Sequence, residues 1–167
     1  MTGHTVVLLR HGKSDWSTGQ TDLERPLTKR GRRQAAEAGR WLATHLAQVD
    51  LAVVSPARRA STTWALAAAE LATSVRVHDD ERVYAASGDQ LLQVVRGLTD
   101  EVRVVVLVGH NPGLEILATA LTGLPFTMPT ASLAVLALPG SWSEAGRLHA
   151  DVTAFGRPPA PLGRPAQ

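Results

Sequence analysis

Val104-Val105-Val106-Leu107-Val108-Gly109-His110-Asn111-Pro112-Gly113 decides the fold. Five consecutive aliphatic residues, four of them β-branched, read as a strand buried on both faces. A short polar turn follows, and then Leu114, Leu117 and Leu121 form a stripe at helical spacing over Pro112–Leu121. Strand, turn and helix in that order are half of a βαβ unit. Apolar runs at Thr5–Leu9, Leu51–Val54 and Val75–His78 read as further buried strands. Helical patterns separate them, over Thr28–Gln48, Pro56–Ala72 and Asp89–Leu98. The first carries Ala35, Gly39, Leu42 and Leu46 on one face behind a Thr28 N-cap. This alternation predicts an α/β fold, a three-layer α/β/α arrangement with a mainly parallel central sheet. After Gly123 the pattern changes. Ala131–Leu138 and Leu148–Phe155 read as two strands joined through Pro139–Gly146, an added edge strand or hairpin.

The chain has 167 residues, the length of one domain, and at 44% hydrophobic and 19% charged it has the composition of a globular protein. The expected domain covers residues 1–155. Residues 156–167, with four prolines and two glycines, are expected to form an irregular tail. A net charge of +2 makes the sequence pI of 9.7 weak support for a nucleic-acid partner, and none is expected. The absence of cysteine excludes disulfides, thiolate metal sites and a cysteine nucleophile. No apolar run is long enough to span a bilayer and no signal peptide is visible, so a cytoplasmic location without membrane attachment is expected. The six histidines lack the close spacing of a local zinc motif.

Two strand-to-helix junctions look alike. Val54-Ser55-Pro56 and Gly109-His110-Asn111-Pro112 each set a capping residue before a proline, a pre-organised helix start. Helix N-termini at the carboxyl ends of parallel strands favour anions. Arg58-Arg59 follow one junction, His110 lies in the other, and the first strand ends in Arg10-His11-Gly12. Two histidines and up to three arginines are therefore expected in one crevice. A neutral imidazole beside guanidinium groups suits attack on phosphorus, because arginine holds phosphoryl oxygens in a bidentate manner and resists imidazole protonation. A glycine after His11 would let backbone approach a ligand closely.

Four segments carry a family resemblance. Leu9-Arg10-His11-Gly12-Lys13-Ser14 resembles the opening motif of the histidine phosphatase superfamily, which includes the cofactor-dependent phosphoglycerate mutases. Pro26-Leu27-Thr28-Lys29-Arg30-Gly31-Arg32-Arg33-Gln34-Ala35 is similar to its helix start. Ser55-Pro56-Ala57-Arg58-Arg59-Ala60-Ser61-Thr62-Thr63 is similar to its S-x-x-x-R-A-x-x-T segment, and Val108–Gly113 to its second-histidine motif. Short length, Arg25-Pro26-Leu27-Thr28 and the run Thr130-Ala131-Ser132-Leu133 look most like the SixA-type phosphohistidine phosphatases.

The resemblance implies that His11 is the phosphorylated nucleophile. It implies that Arg10, Arg59 and His110 hold the phosphoryl oxygens, with the Asn111 backbone N–H as a further donor. Arg59, directly before Ala60, is chosen over Arg58. It implies no metal and no cofactor. Ser17 stands where mutases carry Asn and could still bond a phosphate; Lys13 replaces a Glu frequent in the superfamily. Arg25 is a candidate for the rim and Trp16 for a wall. No clear proton donor is visible: Glu81, Asp80 and Asp89 lie near the loop after the third strand, and Glu81 is the candidate acid. Alkoxides need an acid to leave, whereas imidazole, with a conjugate acid near pKa ~6.5, needs much less. The expected activity is hydrolysis of phosphohistidine on a protein. Hydrolysis of small phosphate esters, and a phosphate-binding module without turnover, are the alternatives.

Overall fold

The strand that carries His11 lies inside the sheet because its residues are apolar on both faces. The computed structural model describes residues 3–160, and there β1 (His4–Arg10) has β4 (Val104–Gly109) on one side and β5 (Leu133–Leu138) on the other. β4 in turn pairs with β2 (Leu51–Val54), and β2 with β3 (Arg76–Asp79). These four strands are parallel. β5 and β6 (Asp151–Gly156) extend the sheet as an antiparallel pair, giving the order β3-β2-β4-β1-β5-β6. This is the α/β architecture with the added pair that the sequence predicts.

Period-two alternation divides the core. Val6, Leu8, Val53 and Leu107 face α3 (Gly88–Arg96) and α4 (Gly113–Thr122), where they meet Leu91, Val94, Leu114 and Leu117. Val7, Leu9, Val54 and Val108 point the other way. They pack on Leu42 of α1 (Lys29–His45) and on Ala60, Trp64 and Ala67 of α2 (Arg58–Ala68). α1 is capped by Thr28, whose hydroxyl accepts the Gly31 N–H at 2.9 Å, and α3 by a Ser87/Gln90 capping box.

Gly39 lets α1 and α2 approach: a Cβ there would stand 2.3 Å from the Ala67 carbonyl oxygen. Gly39→Ala gains about 1 kcal/mol of helix propensity but drives a methyl into backbone that cannot swing aside, an overpacking in the upper part of the usual range, about 2–3 kcal/mol. The expected net result is a loss of about 1–2 kcal/mol in urea unfolding. A neutral or stabilised variant would show that the helices separate freely.

The structure corrects several local expectations. β3 is not a buried strand: all four residues are exposed, because it is an edge with a single neighbour. Neither Ser55 nor Asn111 is an N-cap. α2 starts at Arg58 after Ala57, and α4 at Gly113 after Pro112. Their side chains are engaged across the sheet end: Ser55 Oγ bonds His110, and Asn111 Nδ2 donates to the Met128 carbonyl at 2.8 Å. α1 ends at His45 and α2 at Ala68, earlier than the patterns suggest, and β5 and β6 start later, at Leu133 and Asp151. Of the expected tail, Gly156 still belongs to β6 and residues 161–167 lie outside the described residues.

Candidate active site

Register brings the two histidines together. Arg10 is paired with Gly109, so His11 and His110 leave adjacent strands side by side. The ladder runs one bond further, from His11 N–H to the Gly109 carbonyl at 3.2 Å. Val54 pairs with Val108, which sets Ser55 beside the same end. α1 follows β1 on one face of the sheet and α4 follows β4 on the other, so this end is the topological switch point where α/β sheets open a crevice. A cavity of about 240 Å³ lies there. It is lined by Arg10, His11, Arg59, His110, Asn111 and Arg25. Lys13, Ser14, Trp16 and Thr130 complete the wall. A larger hollow of about 780 Å³ at the amino ends of the strands, near Asp50 and Arg76, contains no histidine.

His11 is 7% exposed. Its Nδ1 lies 2.7 Å from the Gly12 carbonyl, which can only accept, so Nδ1 carries the proton and Nε2 keeps a free lone pair. Burial, then the charges of Arg59, Arg10 and Arg25, push this imidazole down to about pKa 4 against the opposing bond to Gly12. His110 places Nε2 2.7 Å from Ser55 Oγ, and its ring centroid is 5.2 Å from that of His11. Burial, with His11 and Arg59 nearby, lowers its pKa to about 3. Both rings are neutral at pH 7. Gly12 has a different use from the expected ligand approach: a Cβ there would meet the Gly31 carbonyl at 2.5 Å, so it seats the loop on α1.

The arginines are organised by a residue that the sequence did not single out. Asp22 accepts from Arg25 Nη2 at 2.9 Å, from Arg59 Nη2 at 3.1 Å and from the Tyr84 hydroxyl at 2.6 Å. Its backbone carbonyl takes Arg59 Nη1 at 2.6 Å. The Tyr84 bond first, then Arg25 and Arg59, hold the carboxyl well below the usual carboxylate range. Arg25 also donates to Ser14 Oγ and lies over the Trp16 ring, its guanidinium carbon 3.6 Å from the centroid. Arg10 donates to the Met128 carbonyl at 2.9 Å. The one sequence hint of Asp22 is its spacing three residues before Arg25, a pattern too common to stand out.

Among the described residues, the buried side-chain polar atoms without a partner are Nε of Arg10, Arg25 and Arg59, Nδ1 of His110, Oδ1 of Asn111 and the Trp64 indole N–H. All but the last belong to residues that line this cavity. Three arginines line this one small cavity, and the positive charge they concentrate there favours an anion. Not every candidate is gathered in. Ser17 is exposed, its hydroxyl donating to Asp15 at 2.6 Å. Glu81 is exposed at the start of a 3-10 turn, outside the lining. Arg58 is exposed and reaches Gln20, whereas Arg59 is buried. Among the described residues no cluster of His, Asp and Glu could hold a metal ion, and no helix is long and apolar enough to cross a membrane.

The depressed histidines carry a stability cost with a definite sign. Their native pKa values lie below the unfolded value near 6.5, so the unfolded chain binds protons first as pH falls. Stability is full above about pH 6.5 and is lost as pH falls toward 4. At about 1.4 kcal/mol per pKa unit, His11 alone accounts for roughly 3 kcal/mol. Urea midpoints at pH 7 and pH 4 are expected to fall less in a His11→Gln/His110→Gln variant than in the wild type. Equal falls would show that the rings titrate normally.

Comparison with known proteins places this architecture. The profile of the histidine phosphatase superfamily (branch 1) matches residues 6–84. An uncharacterized protein of Mycobacterium leprae is 31% identical over 161 residues, 88% of this chain and 98% of that protein. The chain belongs to the histidine phosphatase superfamily. Its fold is of the SixA type. A Nakamurella multipartitia protein assigned as phosphohistidine phosphatase SixA superposes with a TM-score of 0.82 at 27% identity, over 93% of this chain and 96% of that one. An Agrobacterium tumefaciens protein with the same assignment gives 0.80 at 28%, over 95% and 100%. Family and fold together support phosphatase activity.

Proposed function

We propose that the protein hydrolyses phosphohistidine on another protein, in two in-line steps and without a metal. The convergence of Arg10, Arg25, Arg59 and His110 on one cavity with the neutral His11 imidazole is the observation that carries this reading. In the first step the His11 Nε2 lone pair attacks phosphorus. The far ring nitrogen of the departing group takes a proton from solvent, the bond from phosphorus to the near nitrogen breaks with its electrons staying on that ring, and neutral imidazole leaves. In the second step water attacks phosphorus from the vacated side, the Nε2–P bond breaks with its electrons returning to His11, and the water proton leaves on phosphate or to solvent. Arg10, Arg59 and His110 hold the equatorial oxygens through both steps, supplying the positive charge that a cation would otherwise give. Asn111 and Arg25 complete the pocket.

The leaving group follows from what the cavity lacks in acidity. No carboxylate is among its lining residues, and the carboxylate bound to its arginines, Asp22, is held ionised. An ionised carboxylate cannot protonate an alkoxide, whereas imidazole leaves without strong help. Hydrolysis of a phosphohistidine protein is therefore expected to exceed that of alkyl phosphates by at least about 100-fold in kcat/KM, consistent with the contribution of general acids. It is expected to be unchanged by EDTA. Comparable rates on an alkyl phosphate would favour a small-molecule phosphomonoesterase and send the search for an acid back to Glu81. Binding of phosphate without turnover on any substrate would leave a phosphate-binding module.

A further inference from the structure

Trp16 is the remaining feature of the cavity without a role in that chemistry. Exposed apolar side chains are ordinary when scattered singly. Three observations set this one apart. Its side chain lines the cavity with the two histidines, yet the residue is 75% exposed. Every other lining residue is charged or polar, so the indole is the only apolar ring in the wall among the described residues. Its position is also supported. The Arg25 guanidinium stacks on the ring, and Arg25 is 6% exposed and tied to Ser14 Oγ and Asp22.

The consequence is a flat surface held beside the phosphoryl pocket. Arg25 occupies one face of the indole. The exposure of the residue leaves the ring accessible to a second planar group. A guanidinium polarises the ring it covers, and an exposed aromatic face holds planar groups by stacking. The same carboxylate, Asp22, anchors Arg25 and Arg59, so the platform and the proposed phosphoryl clamp share one frame.

We propose that Trp16 is a specificity residue that stacks on a planar ring bonded to the phosphoryl group, the substrate class being phosphoryl groups carried by an aromatic or heteroaromatic ring. The inference rests on the phosphatase reading and adds how the leaving group is held. A ringless P–N compound would use the phosphoryl pocket alone, and a ring-bearing one would use both surfaces.

The test compares phosphoramidate, a P–N substrate without a ring, with N-phosphoimidazole on wild type, Trp16→Ala and Trp16→Phe. Trp16→Ala is expected to lower kcat/KM for phosphoimidazole about tenfold and for phosphoramidate less than twofold, in keeping with one stacking contact. Trp16→Phe is expected to retain phosphoimidazole activity within about threefold. Inhibition by inorganic phosphate should stay within about twofold of wild type in both variants, showing an intact phosphoryl pocket. Equal losses on both substrates would overturn the inference, because Trp16 would then act only by seating Arg25. No loss on either would overturn it as well. Turnover of a phosphohistidine protein with neither compound hydrolysed would overturn the inference, because ring and phosphoryl group would then not suffice; no turnover of that protein either would remove the phosphatase reading, and this inference with it.

Discussion

Replacing His11 by alanine is expected to abolish turnover, by at least about 10⁴-fold in kcat, while the fold survives. The expectation follows from the atoms at the site. The Gly12 carbonyl holds the proton on Nδ1, and burial among arginines keeps Nε2 unprotonated at neutral pH. The His110 Nε2 is already bonded to Ser55. Rapid quench with a ³²P-labelled phosphohistidine protein should show acid-labile label on the wild type and none on the variant. Removing the imidazole also removes a buried group that resists protonation, so His11→Ala should be no less stable at pH 4 than the wild type. Label retained on the variant would move the nucleophile elsewhere, with His110 the first candidate.

The second large effect is expected at Arg59, and its neighbour provides the control. Arg59→Ala should lower kcat/KM by about 10²–10³-fold, the range for losing one preorganised donor to a developing oxyanion. Arg58→Ala should stay within about twofold, since that side chain is exposed and reaches Gln20 rather than Asp22. The Arg59 loss has two sources with the same sign. A charged donor disappears, and Asp22 is left to Tyr84 and Arg25 with less of its charge neutralised. An Asp22→Asn/Arg59→Ala double variant should therefore recover part of the loss. Arg59→Lys should recover little, because one ammonium cannot reproduce the two-nitrogen grip on Asp22. Equal losses at Arg58 and Arg59 would mean that the pair acts through general positive charge.

Much of this was legible along the chain. β1, β2 and β4 are continuous apolar runs, and a strand that reads as apolar on both faces has to lie inside a sheet covered on both sides. From that alone Arg10-His11 and His110 fall at strand ends on one edge, as the register then places them. Local pattern misled where burial depends on neighbours. Val75–His78 reads as a buried strand, yet an edge position leaves β3 exposed. Ser55 and Asn111 have the residue types of helix caps, but the sheet end offers His110 and Met128 as partners.

The choice of Arg59 over Arg58 came from a motif; the burial of one and exposure of the other came from the facing of α2. Asp22 was invisible because its partners Arg59 and Tyr84 are 37 and 62 residues away, and no local spacing encodes such a contact. Trp16 could be named a wall, but its stacking on Arg25 exists only once Ser14 and Asp22 hold that guanidinium. The periodicity of apolar residues, a property of the chain itself, settled the layers and the end of the sheet where chemistry collects. The state of the charges at that end depended on which distant side chains the fold brought within hydrogen-bonding distance.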